Sequence, residues 1–167
     1  MQQSGPLLRV INLGRMVYRE ALAAQVRMHD RLKTAVESDG DRNQHPNTLI
    51  LVEHPAVYTI GIRTGDYPQS KEDRLRALGA DFERTNRGGL ITFHGIGQLV
   101  AYPILHLPDF PALNSSVRCY VHAIENTVIR LCKDVFDSHS SSNPESQVRV
   151  HRIRLSQSIL IFLMFQS

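Results

Sequence analysis

Only two cysteines occur among the 167 residues, and no apolar run exceeds the seven residues Ile159–Phe165. Cys119 and Cys132 stand thirteen positions apart in one helical stretch. That is about 20 Å at the helical rise, so a continuous helix keeps them from bridging. No disulfide framework follows, and a reducing compartment is expected. Seven apolar residues fall far short of the roughly 20 needed to cross a bilayer, so no stable membrane insertion is expected. A basic stripe interleaved with aromatics is also missing. The net charge is +3 and the pI about 9.1, but three arginines and one acid after Asp137 supply +2 of it. The body carries only +1, which argues against a nucleic-acid partner. The eight histidines (His29, His45, His54, His94, His106, His122, His139 and His151) are scattered, and no pair has metal spacing beside a third ligand. No metal site is expected.

What is present is the patterning of one soluble domain, with 42% hydrophobic and 21% charged residues. The opening stretch has no secretory-type leader, although Arg9, Arg15 and Arg19 precede the first acid, Glu20, in a way faintly like a mitochondrial presequence. Leu7–Leu13 reads as a first strand ended by Gly14. Tyr18, Leu22, Val26, Leu32 and Val36 mark a helix. A polar loop follows to Pro46, then a strand at Thr48–Val52 and another at Val57–Ile60. Ser70 and Asp73 suggest a capping box for a short helix with Leu75 and Leu78 on its apolar side and Gly79 as C-cap. Asp81–Thr85 reads as an edge strand. Leu90–His94 and Leu99–Leu105 read as a hairpin or bulged pair around Gly95-Ile96-Gly97. Ser115 or Ser116 caps a last helix carrying Val117, Val121, Ile124, Val128, Leu131 and Val135. The order predicts an α/β (α+β) fold with a mixed, largely antiparallel sheet and packed helices.

The segment from Arg87 to Tyr102 is the most informative. Two glycine clusters bracket a short β-type run ending in His94. Glycine lets a backbone approach a ligand, leaving N–H groups to face an anion or carbonyl oxygen. Arg87 supplies a fixed charge and His94 a switchable one. Strand alternation sets Leu90, Thr92 and His94 on one face and Ile91 and Phe93 on the other, one expected to line the substrate and the other the core.

Arg87-Gly88-Gly89, Thr92-Phe93-His94-Gly95, Gly97-Gln98 and Tyr102 together resemble the signature of the lipoyl(octanoyl) transferase family. Tyr18 with Ala21, Leu22 and Gln25, the block Glu53-His54-Pro55 with Val57-Tyr58-Thr59 and Gly61, the run Val100–Leu105 and the Tyr120–Arg130 helix fit the same pattern. Ile96 and Ala56 stand where the family favours proline, which loosens two turns without removing a polar group. The resemblance implies the lipoate/biotin protein ligase catalytic fold. It implies transfer of octanoyl from octanoyl-acyl carrier protein, through a cysteine thioester assisted by a lysine, to a lysine of a lipoyl domain. The implied partners are that carrier protein, the lipoyl domains of 2-oxo acid dehydrogenases and the glycine cleavage H protein, with no cofactor. Arg87, Gly88, Gly89, Leu90, Ile91, Thr92, Phe93 and His94 would form one wall of the substrate site.

The resemblance covers residues 7 to 137, read as the N-terminal part of the catalytic domain. Residues 138–167 form an atypical Ser-rich, basic and apolar tail expected to lie outside the native domain, as an alternative or misread transcript would produce. In the family the lysine and cysteine come later, in segments with no counterpart here. There is no tryptophan, no lysine after Lys133 and no cysteine after Cys132. No catalytic residue is therefore assigned. Cys132 falls on the apolar stripe of the last helix. Cys119, with His122 one turn on, faces away from it. Two alternatives stand beside an inactive octanoyltransferase: a lipoate/biotin-type ligase, and a non-catalytic binder of acyl carrier protein or lipoyl domains. The setting implied is the mitochondrial matrix, or the cytoplasm in a bacterium.

Overall fold

The computed structural model describes residues 5–38, 41, 44–62, 67–88, 90–113, 115–139, 148–149 and 161–165. Its strands are β1 (Arg9–Arg15), β2 (Thr48–Glu53), β3 (Val57–Ile60), β4 (Asp81–Arg84), β5 (Thr92–His94), β6 (Gln98–Ile104), β7 (Val148–Arg149) and β8 (Ile161–Phe165). The helices are α1 (Tyr18–Glu37), α2 (Gln69–Ala77) and α3 (Val117–His139), with 3-10 turns at Leu107–Asp109 and Pro111–Leu113. The α+β class and the largely antiparallel pairing agree with expectation. The strands form two sheets rather than one, ordered β1-β2-β6-β8-β7 and β4-β3-β5. Two pairings are parallel, β1 with β2 and β3 with β4.

That division corrects the predicted hairpin. β5 pairs antiparallel with β3 in the small sheet, and β6 pairs antiparallel with β2 in the large one. The tight turn between β5 and β6 therefore links two sheets. β1 does not stop at Gly14. Its register with β2 slips by one residue between Asn12 and Arg15, and Gly14 takes φ +62° there. A bulge with glycine in the left-handed region lets the strand continue to Arg15. The terminal apolar run supplies β8, which lies antiparallel along β6. The Ser138–Gln147 linker falls outside the described residues from 140 to 147, as does the basic segment from 150 to 154. Among the described residues no helix is long and apolar enough to cross a membrane.

The main core joins Ala21 of α1 to Ile50 and Val52 of β2 and Val100 and Tyr102 of β6. Alternation sets these strand residues on one face, and registers Ile50↔Tyr102 and Val52↔Val100 bring them opposite one another. The buried stripe of α1 runs through Tyr18, Ala21, Ala24 and Leu32. Leu22 and Val26, which marked the helix by their spacing, are exposed and line an open groove of about 1110 Å³ between α1, the end of β6 and the start of α3. Small alanines bring the helix close to the sheet and turn the larger side chains outward. In α3 the buried stripe is Tyr120, Ile124, Val128 and Cys132, packed on Leu99, Leu105, Leu107 and Leu113. Val117 and Leu131 are exposed, and the Val135 side chain is outside the described set. Ser116 does cap this helix, its Oγ accepting the Cys119 N–H at 3.4 Å.

Ser70 and Asp73 do not form a cap, since both lie inside α2, which starts from Pro68. A proline held at φ −66° sets the first turn without a side-chain cap. Gly79, at φ +86°, follows the helix as expected. Leu78 is exposed, and the residue α2 buries is Glu72, bound by Arg76 at 3.0 Å and Arg84 at 2.8 Å.

Candidate functional site

Arg87 turns its side chain back onto the small sheet. Its Nη2 donates to the Thr59 carbonyl at 2.6 Å and to Thr59 Oγ1 at 2.8 Å, while Nη1 donates to the Gly88 carbonyl at 2.9 Å. The backbone is tied at the same place, since Ile62 N–H donates to the Arg87 carbonyl and Thr85 N–H to that of Ile60. These bonds follow from β3 ending at Ile60, which leaves its last carbonyls open to the returning chain. Arg87 forms no ion pair among the described residues, and its buried Nε has no hydrogen-bond partner there. The result is a half-buried cation in a fixed orientation, among Tyr18, Tyr67 and Tyr102.

The Thr59 hydroxyl, accepting from Arg87, can give its own proton to His94 Nε2 at 3.3 Å. That assignment places the His94 proton on Nδ1. His94 is 1% exposed, and burial, reinforced by His54 and the Arg87 cation, pushes its pKa down to about 3. The expectation of a switchable charge at His94 is thereby corrected: an imidazole so enclosed stays neutral across the physiological range. The His54 ring stands edge-on to it with centroids 5.5 Å apart. His54 Nδ1–H donates to the Met16 carbonyl at 2.8 Å, leaving Nε2 to accept the Tyr102 hydroxyl at 3.1 Å. Burial also lowers the pKa of His54 and raises those of Tyr18 and Tyr102. Two imidazoles, two phenols and one guanidinium thus stand side by side. Burial favours the uncharged form of both imidazoles and both phenols, so the cluster orients and polarises.

The remaining residues of the predicted wall divide. Ile91 packs on Ile60, Tyr67 and Phe82, and its N–H donates to Tyr67 Oη at 3.1 Å. Leu90 is exposed. Phe93 is 43% exposed and lies against Tyr58, centroids 5.0 Å apart. Alternation holds only over Thr92–His94 because β5 is three residues long, so Ile91 turns to the core while Phe93 does not. Gly88 carries the carbonyl that fixes Arg87, and Gly89 lies outside the described residues. At Gly95 a Cβ would meet the Phe93 ring at 2.8 Å, so the space this glycine leaves is filled by the neighbouring aromatic.

Gly97 closes the turn from β5 to β6. Gln98 N–H donates to the Gly95 carbonyl, which places Ile96 and Gly97 at the two central positions, with Gly97 at φ +82°. Proline is welcome at the first of these, and exposed Ile96 occupies it without disturbing the turn. Glu53 Oε2 accepts the Gly97 N–H at 3.1 Å while its other oxygen accepts from Arg15. Gly97→Ala should cost about 1–2 kcal/mol, the penalty for a Cβ in the left-handed region. Chemical denaturation of the two proteins measures it, and equal midpoints would contradict it.

Sequence reasoning left Tyr18, His54, Thr59 and Tyr102 as pattern matches outside the site. Their meeting depends on the β2–β6 register and on α1 folding back, which no local spacing displays. It also read the histidines as scattered. The fold gathers His45, His106 and Asp109, whose ligand-type atoms all lie within 4.8 Å of one another. Cys132 is buried as expected, and Cys119 is exposed.

Residues 18–156 match the family model described as the lipoyl protein ligase A/B catalytic domain. The chain is 55% identical over 130 residues to a Xenopus tropicalis protein named octanoyl-acyl-carrier-protein:protein N-octanoyltransferase, mitochondrial. That alignment covers 78% of this chain and 52% of the relative. A Danio rerio protein of the same name is 48% identical over 143 residues, covering 86% and 59%. The chain thus spans between half and three-fifths of the length of these relatives. Among solved structures, Plasmodium falciparum LipL1 in complex with lipoate aligns with a TM-score of 0.45 at 12% identity, over 96% of this chain and 48% of that one.

Proposed function

The chain belongs to the lipoyl protein ligase A/B catalytic domain family, and we propose that it is the N-terminal part of an octanoyltransferase of lipoate biosynthesis. The observation that carries this reading is the 55% identity over 130 residues to a protein named for that activity. In the proposed reaction a cysteine thiolate takes the octanoyl group from octanoyl-acyl carrier protein, releasing the carrier thiol. A lipoyl-domain lysine, of a 2-oxo acid dehydrogenase or the glycine cleavage H protein, then attacks the thioester and forms the amide. Residues 138–167 contain neither a cysteine nor a lysine to serve that chemistry.

Residues Arg87 to His94 would contribute one wall of the substrate site. Arg87, without an acid partner among the described residues and anchored by Thr59, is suited to an acyl carbonyl oxygen or the phosphate of the carrier arm. The neutral His94–Thr59 and His54–Tyr102 pairs hold the wall rigid behind it. Exposed Leu90 and Phe93 would supply apolar surface for the acyl chain. The relatives' names place them in mitochondria, and the matrix is the proposed setting here.

Incubated with octanoyl-acyl carrier protein and a lipoyl domain, the 167-residue chain should give no octanoylated domain above background by mass spectrometry. It should still bind the carrier protein, and Arg87→Met should weaken that binding at least tenfold. Turnover that survives alanine at both Cys119 and Cys132 would refute the thioester route. Carrier binding indifferent to Arg87 would refute the assigned wall. A non-catalytic binder is the second reading, favoured for these 167 residues by the missing cysteine and lysine, and the same assay with an added catalytic half separates it from an enzyme fragment.

A further inference from the structure

At the far end of β2 from His54, the fold closes two imidazoles and an amide around one carboxylate. Asp109 sits in the 3-10 turn after β6, its side chain fully enclosed. His45 Nδ1 lies 2.8 Å from Asp109 Oδ2 and 3.0 Å from Oδ1, and His106 Nδ1 lies 2.8 Å from Oδ1. Asn47 Nδ2–H donates to Oδ2 at 2.9 Å, and Asn47 Oδ1 accepts the His106 N–H at 2.7 Å. Six residues of β2 separate this cluster from the Arg87–His94 site, roughly 20 Å at the strand rise.

We propose that His45, His106 and Asp109 form a binding site for a divalent transition cation of the zinc class. The donor set is two imidazole nitrogens and one carboxylate oxygen, which suits such ions. In a tetrahedral site with bonds near 2.0–2.1 Å the ligand atoms stand about 3.3 Å apart. The observed nitrogen–oxygen separations of 2.8–3.0 Å reach that spacing by outward movement of a few tenths of an ångström, and all the ligand atoms lie within 4.8 Å of one another. Asn47 already acts on the carboxylate as an outer-sphere partner does, holding one oxygen so that the other is directed.

Proton accounting permits the change. A neutral imidazole that gives up Nδ1–H to bind metal carries its proton on Nε2 instead, with no net release. Moving the His45 proton gives up the Nδ1 contacts with Asp109, which the metal bond replaces, and the buried Nε2, without a hydrogen-bond partner among the described residues, is vacant to receive it. His106 is 26% exposed and borders the open groove, so its Nε2–H can meet water and a fourth ligand, a water molecule, has a route in. A bound ion would tie the start of β2 to the turn after β6 and brace the groove wall.

The test uses the full chain, untagged and stripped with chelator. It should take up one equivalent of Co2+ with visible d–d absorption, displaced by Zn2+, and its Tm should rise with Zn2+. His106→Gln and Asp109→Asn should each weaken uptake at least tenfold. His29→Gln, His122→Gln and Cys119→Ser, at exposed positions elsewhere, should leave it unchanged. Should Asp109→Asn fail to fold, His106→Gln decides, because that partly exposed ring can be replaced with the native circular dichroism retained. No stoichiometric uptake by the unmodified chain, or uptake that survives His106→Gln, would overturn the site and leave the cluster a hydrogen-bonded clamp.

Discussion

Lowering the pH from 6.5 to 4 is expected to cost the fold about 3 kcal/mol through His94 alone, at roughly 1.4 kcal/mol for each pH unit. The sign follows from where the proton binds. In the unfolded chain His94 titrates near 6.5. In the folded protein its pKa is about 3, because burial, the adjacent His54 and the Arg87 cation all oppose a second charge. Between those values the unfolded state holds a proton that the folded state refuses. Stability is therefore fully present above about 6.5 and falls steadily as pH drops toward 3. His54, lowered in the same direction by its own burial, steepens the slope. A domain of this size has only about 5–15 kcal/mol to lose. Urea melts at pH 7, 6, 5 and 4 measure the loss, and His94→Gln should flatten the curve by close to one proton. Identical slopes for the two proteins would show that His94 titrates normally and that the packing around it is misassigned.

Phe82→Ala should remove about 3–5 kcal/mol, the usual cost of deleting a buried phenyl ring. Phe82 is 2% exposed and forms the small core with Ile60 and Tyr67, against which Tyr58, Leu75 and Ile91 pack. So few side chains cannot close over the void, and the cavity term is expected in full. The consequence reaches the candidate site, because β3 carries Thr59 and pairs with β5, which carries His94. Amide exchange in β3, β4 and β5 should accelerate more than in β2 and β6. By contrast Phe93→Ala, removing a ring 43% exposed, should cost about 1 kcal/mol or less. Equal losses from the two substitutions would contradict the division of Phe82 and Phe93 between core and surface.

The elements that sequence pattern located correctly are those whose signals are local. Val57–Ile60 lies between clear breaks, and α3 begins at a serine cap with apolar residues at three-four spacing. The errors share one cause, which is that local pattern does not say which neighbour an element meets. Leu22 and Val26 sit on a sound helix, yet Ala21 and Ala24 face the sheet because close approach favours small side chains. Leu90–His94 and Leu99–Leu105 were legible as strands, but the turn between them joins two sheets. Gly95 suggested room for a ligand where the Phe93 ring lies.

By itself the sequence determined the α+β class, the family signature from Arg87 to Tyr102, and the lack of a later cysteine and lysine. Each is a property of residue identity and short-range spacing, which survives without knowledge of packing. Only the tertiary structure decided that His94 is a neutral, enclosed imidazole, that Arg87 is anchored on Thr59, and that His45 meets His106 and Asp109. Those outcomes depend on desolvation and on contacts between residues 28 to 64 positions apart. Charge state and ligand geometry are set by what surrounds a side chain after folding, and one-dimensional spacing does not encode it.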